Sequence, residues 1–181
     1  MDAFHGFFLS SLGKHFLNSY YCAALKNDKT IAVGAFDDKG QIQGFATGCI
    51  KSKEFHNQLM MNNLLTFIYH GSVLLFTNPK ALLRLLLNLD KIHHKNDDGN
   101  YAELISIGVY HTIKGMGIGK TLVKTFEDEA KRKGCQKITL TTDYYKNQDT
   151  VNFYFHSGYK VFYEFYSFPK RKMYKLIKDQ N

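Results

Sequence analysis

The sequence has little of several residue types that mark particular classes of protein. Its 181 residues include no tryptophan and two prolines, and so few prolines favour regular helices and strands over a loop-rich scaffold. The three cysteines, Cys22, Cys49 and Cys135, are far apart and odd in number, so they signal neither a disulfide framework nor a zinc site. We interpret them as small buried side chains in a reducing cytoplasm, and we expect no metal.

A long hydrophobic run is also missing. The most apolar stretch, Leu64–Phe76, has 13 residues and includes a tyrosine, a histidine and a glycine, whereas a membrane-spanning helix needs about 20 apolar residues. Met1–Phe8 lacks the basic residues that open a signal peptide. With 44% hydrophobic and 22% charged residues the composition is globular, and the length predicts a single domain over residues 1–181. We expect no stable membrane insertion and a cytoplasmic location.

Positive charge is concentrated in the second half of the chain. The formal net charge is +8, and residues 101–181 hold 14 basic and 8 acidic residues, against 10 and 8 in residues 1–100. A local excess of positive charge indicates an anionic partner. Composition leaves three classes open, namely a phosphate-bearing cofactor, a nucleic acid and an acidic membrane. No helix-turn-helix, KH or RRM signature is present, so we expect no nucleic acid.

Hydrophobic periodicity predicts an α/β fold. The pattern predicts helices over Phe7–Leu25, Gln58–Phe76, Pro79–His94, Gly117–Lys133 and Thr150–Ser157, and strands over Thr30–Phe36, Gln41–Ile50, Ala102–Tyr110, Lys137–Thr142, Tyr159–Phe168 and Lys172–Ile177. Strands that alternate with helices imply a sheet with crossover connections. Because Lys170-Arg171-Lys172, Lys175 and Lys178 lie in the last predicted strand or directly beside it, we expect a solvated edge strand.

The most informative motif is a glycine-rich turn between a predicted strand and a predicted helix. Lys114–Thr121 (KGMGIGKT) has glycine at 115, 117 and 119. Glycines let a ligand approach the backbone, and a helix N-terminus offers free N–H groups to an anion, so phosphate binding is expected. A Walker A loop would need glycine at 114, and a dinucleotide fingerprint would need glycine at 120 or 122; these positions hold Lys114, Lys120 and Leu122. The alternative to a ligand site is a tight turn that binds nothing.

This turn resembles the acetyl-CoA-binding motif of the GNAT superfamily of N-acetyltransferases, written Q/R-x-x-G-x-G/A. Lys114, Gly117 and Gly119 occupy its three defined places, with lysine in place of the usual arginine or glutamine. The preceding strand, Ala102–Val109, also resembles the family's central strand.

A second block lies downstream of the glycine turn. Asn147–Tyr159 (NQDTVNFYFHSGY) is similar to the family's motif N-x-x-A-x-x-F/L-Y-x-K/R-x-G-F/Y, although Thr150 and His156 depart from it. The two blocks occur in the family's order and at its separation. The sequence therefore resembles a GNAT acetyltransferase over at least residues 101–168.

The resemblance implies a set of contacts with acetyl-CoA. The central strand would receive the pantetheine arm, the glycine turn and its lysines would hold the pyrophosphate, and two downstream side chains would lie along the arm and beside the sulfur. In that order the residues are Ile107, Gly108 and Val109; Lys114, Gly115, Gly117, Ile118, Gly119, Lys120 and Thr121; and Asn147 and Tyr154.

Acetyl transfer to an amine requires a neutral amine and a proton for the leaving thiolate. Glu103, on the strand beside the expected cofactor site, is the candidate general base, directly or through a water. Its alternative role is that of a strand carboxylate in a salt bridge. Tyr154 is the candidate general acid, because a phenol can donate a proton to a thiolate as it forms. Its alternative role is that of a core aromatic.

The resemblance implies the GNAT fold, an α/β fold whose central mixed, twisted sheet has flanking helices. The sequence departs from that pattern in two places. Only Met1–Gly6 precede the first predicted helix, so the family's first strand looks absent or truncated. Residues 52–100 are expected to form a largely helical insertion. Insertions beside a site commonly shape it, so we expect this one to form the acceptor pocket. Its leucine-rich part is expected to pack in the core or in a homodimer.

The expected function is N-acetylation of a primary amine on a small molecule with acetyl-CoA as cosubstrate. The N-terminal FFLSSLGKHFL pattern resembles GNAT members of bacterial surface-polysaccharide pathways, which makes an amino sugar the first suggestion for the acceptor. Acetylation of a peptide or protein amine is one alternative. A non-catalytic basic module that binds nucleic acid or an anionic membrane is the other.

Overall fold

The computed structural model describes residues 14–80, 82–83, 97–113 and 115–180. Its elements are, in order, α1 (Lys14–Leu25), β1 (Thr30–Phe36), β2 (Ile42–Cys49), α2 (Ser52–Asn62), α3 (Leu64–Thr77), β3 (Ala102–Val109), α4 (Ile118–Arg132), β4 (Lys137–Asp143), α5 (Gln148–His156), β5 (Lys160–Ser167) and β6 (Arg171–Asp179). The six strands form one sheet in the order β1-β2-β3-β4-β6-β5. Strands β3 and β4 are parallel and the other neighbours are antiparallel. The predicted α/β fold, with a mixed sheet and flanking helices, is confirmed.

Helix α4 covers one face of the sheet because its apolar side chains recur at helical spacing. Leu122, Phe126 and Ala130 lie four residues apart on one side of the helix, and all three are buried. They pack against Ile138 and Leu140 of β4. Each buried side chain of leucine or phenylalanine size contributes about 1.5–3 kcal/mol to folding, so this cluster fixes α4, and the turn that precedes it, against the sheet.

Helices α1 and α2 contribute to a second cluster. Ala24, Cys49, Phe55 and Leu59 are its buried members, and Ile105 of β3 packs against them. The prediction of small buried cysteines holds for Cys49, whereas Cys135 is half-buried and Cys22 is exposed.

The predicted helix Gln58–Phe76 is two helices. Helix α2 begins earlier, at Ser52, and α3 begins after a break at Asn63, whose side-chain amide donates to the Leu59 carbonyl oxygen at 3.0 Å. Asparagine side chains compete in this way with the backbone bonds of a helix. In the described ranges, no single helix is long and apolar enough to cross a membrane; α2 and α3 reach that length only together, with a bend of 76° between them.

Two expectations lie largely or wholly outside the described residues. The expectation about the family's first strand falls on residues 1–13, which are not described. Most of the predicted helix Pro79–His94 falls on residues 84–96, which are not described either. The described part of the insertion is helical over α2 and α3, as predicted.

The prediction that the last strand is a solvated edge strand is wrong. Strand β6 lies between β4 and β5, so β5 is the edge. Lys175 is buried, and Lys178 is ion-paired with the buried Glu127 at 2.7 Å. Lysines in a strand indicate an edge only when their ammonium groups reach water, and these two instead find carboxylates on neighbouring elements.

Candidate active site

The sheet opens between its two parallel strands. Pairing of β3 with β4 runs from Ala102 to Leu104 and stops there, although β3 continues to Val109 and β4 to Asp143. The separation leaves a gap in the middle of the sheet, bordered by main-chain groups that these two strands do not satisfy for each other. Unpaired strand groups of this kind can bind an extended ligand.

A β-bulge lies where the gap begins. The register of β2 against β3 shifts between Thr47 and Gly48. Ile105 packs toward α1 and α2, and the next residue, Ser106, shares a hydrogen bond of 2.9 Å with Tyr21 of α1. Consecutive side chains of a regular strand point to opposite faces, so the bulge has turned one of them, as bulges beside active sites commonly do.

The pairing of β3 with β2 shows which way the main-chain N–H and C=O groups of Ile107, Gly108 and Val109 point. The Tyr110 N–H donates to the Gln43 carbonyl oxygen on the β2 side at 3.1 Å. Because main-chain groups of a strand alternate in direction, those of Gly108 also point to β2, whereas those of Ile107 and Val109 point into the gap. The arrangement is compatible with the predicted contacts of Ile107 and Val109 and leaves Gly108 to pair within the sheet.

The glycine turn lies at the open end of the gap. Gly115 has φ 93° and Gly117, the residue before α4, has φ 82°, values that L side chains adopt at a cost of about 1–2 kcal/mol. A Cβ on either glycine would have no atom within 4 Å, and one on Gly119 would meet only Val109 Cγ2 at 3.9 Å. The turn is therefore open on its outer side, where a ligand can approach the backbone.

Three amides at the start of α4 are free of helical hydrogen bonds by geometry, namely those of Ile118, Gly119 and Lys120. The Thr121 N–H donates to the Gly117 carbonyl oxygen at 3.0 Å as the first bond of the helix. The predicted phosphate contact of the Thr121 amide is thus not supported, because that donor is already used. Lys114 lies outside the described residues.

The other predicted cofactor contact, Asn147, lies at the end of β4. Its amide nitrogen donates to Thr142 Oγ1 at 2.7 Å and to the Asp143 carbonyl oxygen at 3.2 Å. Arg171 forms a two-pronged ion pair with the carboxylate of the same Asp143. These contacts fix the end of β4 where it borders the gap, and they leave the Asn147 side-chain oxygen as the atom able to accept a bond from a ligand.

Tyr154 lies in the core on the α4 side of the sheet. It is 5% exposed, and its ring contacts that of Tyr159 edge to face at 5.6 Å. Burial raises the pKa of Tyr154 to about 12, so the phenol is protonated at neutral pH. Within the described part of the chain, no side chain or main-chain group bonds to its hydroxyl. This state suits the predicted proton donor.

A cavity of about 220 Å³ lies on the opposite face of the sheet. Five elements and the segment before β3 contribute its walls. The lining residues are Ser52, His56, Asp97, Tyr101, Glu103, Thr141, Tyr163, Phe165, Ser167, Met173 and Lys175. Glu103 and Thr141 stand where β3 and β4 begin to separate, so the cavity adjoins the gap in the sheet.

Glu103, the predicted base, is the centre of a hydrogen-bonded group in this cavity. Its carboxylate accepts a bond from Lys175 Nζ at 2.5 Å and another from the Ser52 hydroxyl, and it lies 3.4 Å from His56 Nε2. Burial alone would raise the pKa of Glu103, but the Lys175 charge and His56 outweigh it and hold the pKa well below its usual range. The carboxylate is therefore ionised and weakly basic.

Asp97 organises the aromatic wall of the cavity. Its Oδ2 accepts hydrogen bonds from the hydroxyls of Tyr101 at 3.0 Å and Tyr163 at 2.7 Å. Burial and then the neighbouring carboxylates raise the pKa of Tyr101, and burial with the bond to Asp97 raises that of Tyr163. Both phenols are fixed donors, and Lys175 Nζ lies 5.1 Å from the centre of the Tyr101 ring.

One group of side chains could in principle ligate a metal. Ligand atoms of Cys49, His56 and Glu103 lie within 4.8 Å of one another. Lys175 already neutralises Glu103, however, and burial together with the Glu103 charge raises the pKa of the Cys49 thiol, whereas a metal binds the thiolate. A cation here would have to displace an ammonium group and a proton, so the arrangement fits a hydrogen-bonded group better than a metal centre.

The family resemblance and the chemistry of acetyl transfer predicted roles for two residues near the gap, Tyr154 and Glu103. Sequence reasoning missed the partners of Glu103, which are Ser52, His56 and Lys175, because these come from α2 and β6 and no spacing relates them. The sequence signal for Lys175 is its position directly before two apolar residues, Leu176 and Ile177. In the structure all three side chains are buried.

Solved structures share the fold. The PaiA N-acetyltransferase of Thermoplasma acidophilum, in complex with coenzyme A, is 18% identical over 93% of this chain and 72% of its own, with a TM-score of 0.54. A nourseothricin acetyltransferase is 11% identical over 84% of this chain and 66% of its own, with a TM-score of 0.52.

A chain of the NatC complex, bound to Gag peptide and CoA, is 26% identical over 45% of this chain, with a TM-score of 0.42. This chain spans 52% of the NatC chain and 66% of the nourseothricin acetyltransferase. No curated protein sequence matches this chain.

The family model described as "Acetyltransferase (GNAT) family" matches residues 2–159. The match includes strands β1 to β4, the glycine turn and the whole of the second motif, and it confirms the prediction of an acyltransferase. The chain belongs to the acetyltransferase (GNAT) family.

Proposed function

We propose that this chain transfers the acetyl group of acetyl-CoA directly to the primary amine of a small molecule. The observation that carries the proposal is the gap between β3 and β4, which has the open glycine turn at its end and a charged cavity on the face opposite Tyr154. An extended thioester in that gap would present its carbonyl to an amine in the cavity and its sulfur toward the phenol.

The proposal gives a part to every predicted cofactor contact except Gly108, which pairs within the sheet, and the Thr121 amide, which bonds within α4. The main-chain groups of Ile107 and Val109 bind the pantetheine arm, and the free amides that follow Gly117 bind the pyrophosphate with added charge from Lys114 and Lys120. The side-chain oxygen of Asn147 accepts a bond from the arm. Gly115, Gly117 and Gly119 serve by having no side chain where the phosphates approach.

Tyr154 donates the proton that the leaving thiolate needs. Its raised pKa, about 12, keeps the proton on the phenol until a strong base forms beside it. Glu103, held in its ionised form by Lys175, places a negative charge on the acceptor side.

The size and lining of the cavity support a small acceptor. Its volume of about 220 Å³ lies below the roughly 300–1,000 Å³ of sites that enclose drug-sized ligands. Hydroxyl groups of Ser52, Thr141 and Ser167 lie among aromatic walls, and such a lining suits a hydroxylated ring that carries an amine. An amino sugar is therefore our proposed acceptor, with a peptide or protein amine as the alternative.

The test is acetyl transfer by the purified chain. Release of free thiol from acetyl-CoA would be followed with amino sugars, nucleotide-linked amino sugars, simple aliphatic amines and peptides with free N-termini, and the products would be weighed by mass spectrometry. Transfer to an amino sugar supports the proposal. Transfer to peptides alone would overturn the acceptor class, and the absence of thermal stabilisation by saturating CoA would overturn the cofactor site.

A further inference from the structure

The cavity holds an imidazole that the predicted mechanism does not use. His56 lies on α2, its side chain is 28% exposed, and its Nε2 is 3.4 Å from Glu103 Oε2. Its ring packs edge to face on Phe55 at 5.2 Å, and Phe55 is buried. The imidazole is thus fixed on one side by an aromatic ring and on another by a carboxylate, and it borders the space where the acceptor would lie.

We propose that His56 takes the proton from the acceptor ammonium, and that Glu103 is a positioning residue that orients the imidazole. The inference rests on the proposed function and deepens it. It reassigns the predicted base from the carboxylate to its neighbour.

The partners of Glu103 support this division of roles. Lys175 and Ser52 already bind the carboxylate, so a proton on Glu103 would have to break the ion pair with Lys175. Imidazole, by contrast, is the side chain whose ordinary pKa lies closest to neutral pH. A general base works best when its pKa is near the operating pH.

The geometry also fixes which imidazole nitrogen is free. If the Nε2–H donates to Glu103, the lone pair lies on Nδ1. In the described ranges, no group bonds to Nδ1 of His56. A carboxylate that binds one imidazole nitrogen and leaves the other to act as base is the arrangement that serves serine hydrolases, although here the bond is long, at 3.4 Å, as catalytic hydrogen bonds often are without substrate.

Six titratable groups in the described part of the chain surround His56 or share its cavity. The titratable groups that face it or share its cavity are Cys49 on β2, Glu103 on β3, Lys175 on β6, Tyr163 on β5, and Asp97 and Tyr101 before β3. The Glu103 and Lys175 charges cancel, and the thiol and phenols are neutral because burial raises the pKa of each. The Asp97 carboxylate accepts hydrogen bonds from the Tyr101 and Tyr163 hydroxyls, so these groups leave the imidazole as the side chain of the cavity that can exchange a proton near neutral pH.

The protons balance through two side chains. His56 Nδ1 removes one proton from the ammonium and later gives it to solvent. The neutral nitrogen forms the new C–N bond to the acetyl carbonyl carbon, and the C–S bond breaks as Tyr154 gives its proton to the sulfur. The second proton of the nitrogen then restores the Tyr154 phenol. One acetamide, one thiol and one proton result.

The first test compares two acceptors. His56→Gln would be assayed with an aliphatic amine, which is an ammonium ion at pH 7.5, and with an amine of low basicity, such as hydroxylamine, which is already neutral. We expect kcat/KM to fall about 10²- to 10⁴-fold with the aliphatic amine. The fold-loss with hydroxylamine should be smaller by a factor of at least about ten. His15→Gln, an exposed histidine on α1, is the matched control and should behave as wild type.

The outcomes separate the roles. Equal losses with both amines would show that His56 only shapes the site, and no loss with either would show that it is not the base. The wild-type pH profile of kcat/KM should have an acidic limb that is absent in His56→Gln and moves to lower pH in Glu103→Gln, because loss of the carboxylate charge destabilises the imidazolium. An acidic limb that persists in His56→Gln would also overturn the proposal.

A spectroscopic test needs no acceptor and so separates failure of this proposal from failure of the proposed function. In ¹⁵N-labelled protein, the neutral His56 ring should be the tautomer with its proton on Nε2. Observation of the Nδ1–H tautomer would overturn the inference even in an active enzyme. If no amine is acetylated but the Nε2–H tautomer is found, the proposed function fails and the orienting contact stands.

Discussion

The ion pair between Lys175 and Glu103 allows a sharp test of how the site is held together. We expect Lys175→Met to destabilise the fold strongly. The two side chains are 7% and 15% exposed, so the pair belongs with buried ion pairs and not with surface pairs worth about 0.2–1 kcal/mol. Removing one member of a buried pair leaves the other charge without its partner, at a cost of about 3–5 kcal/mol.

The cost should depend on pH in a defined direction. In the wild type, the pKa of Glu103 is lowered, so the stability gained from its ionised form is present above its unfolded pKa and is lost only as pH falls through the lower folded value. In Lys175→Met, burial would dominate and raise the pKa of that carboxyl. Protonation then relieves the cost, so the loss of stability relative to wild type should be full at pH 7 and shrink toward pH 5.

The assay is urea denaturation of both proteins at pH 7 and pH 5. The matched control is Lys160→Met, which removes the exposed pair between Lys160 of β5 and Asp179 at the end of β6, the strand that carries Lys175. This variant should change the free energy of unfolding little. The double variant Glu103→Gln, Lys175→Met removes both charges and should recover much of the loss. A loss below about 1 kcal/mol at pH 7, as for surface pairs, would refute the reasoning, as would a loss that grows toward pH 5.

Three further predictions concern the proposed chemistry and surface. Tyr154→Phe keeps the buried ring, so kcat should fall about 100-fold while KM for acetyl-CoA stays constant; unchanged turnover would remove Tyr154 from the role of acid. Gly117→Ala strains a residue at φ 82° by about 1–2 kcal/mol, so calorimetry should show CoA binding weakened about tenfold, whereas Gly40→Ala, at φ 74° in the β1–β2 turn, should leave it unchanged. Leu65 and Phe76 of α3 are 82% and 86% exposed, so if the chain forms the predicted homodimer through this face, the double glutamate variant should be a monomer by light scattering. A dimer that persists would place the interface elsewhere.

The parts of the fold that depend on residues close together in the sequence could be predicted from it. The period of apolar residues in α4, with Leu122, Phe126 and Ala130 on one side, requires no knowledge of its partners. The glycine turn could be predicted in the same way, because the positive φ of Gly117 depends on the residue type at that position and not on distant contacts. These elements lie within two residues of their predicted bounds.

The order of the strands was not predictable in the same way. The basic residues in and beside strand β6 predict an edge, but the chain inserts this strand between β4 and β5. Lys175 finds Glu103 across 72 residues of sequence, and nothing in either segment specifies the other. The sequence of a strand does not distinguish a buried lysine from a solvated one until the carboxylate that pairs with it is known.

The same distinction explains why the proposed cofactor contacts could be predicted from the sequence, whereas the residues of the acceptor cavity could not. The contacts proposed for acetyl-CoA come from backbone groups in one continuous strand, turn and helix, so they appear as a motif. The cavity is built from side chains of α2, the segment before β3, and strands β3 to β6, and its key contact joins His56 to Glu103 across 47 residues. A change of acceptor therefore needs only side-chain substitutions in α2 and the strands that face it, which leaves the glycine turn and its motif intact. That is the physical reason why one family motif can indicate acetyl transfer while the amine has to be inferred from the cavity.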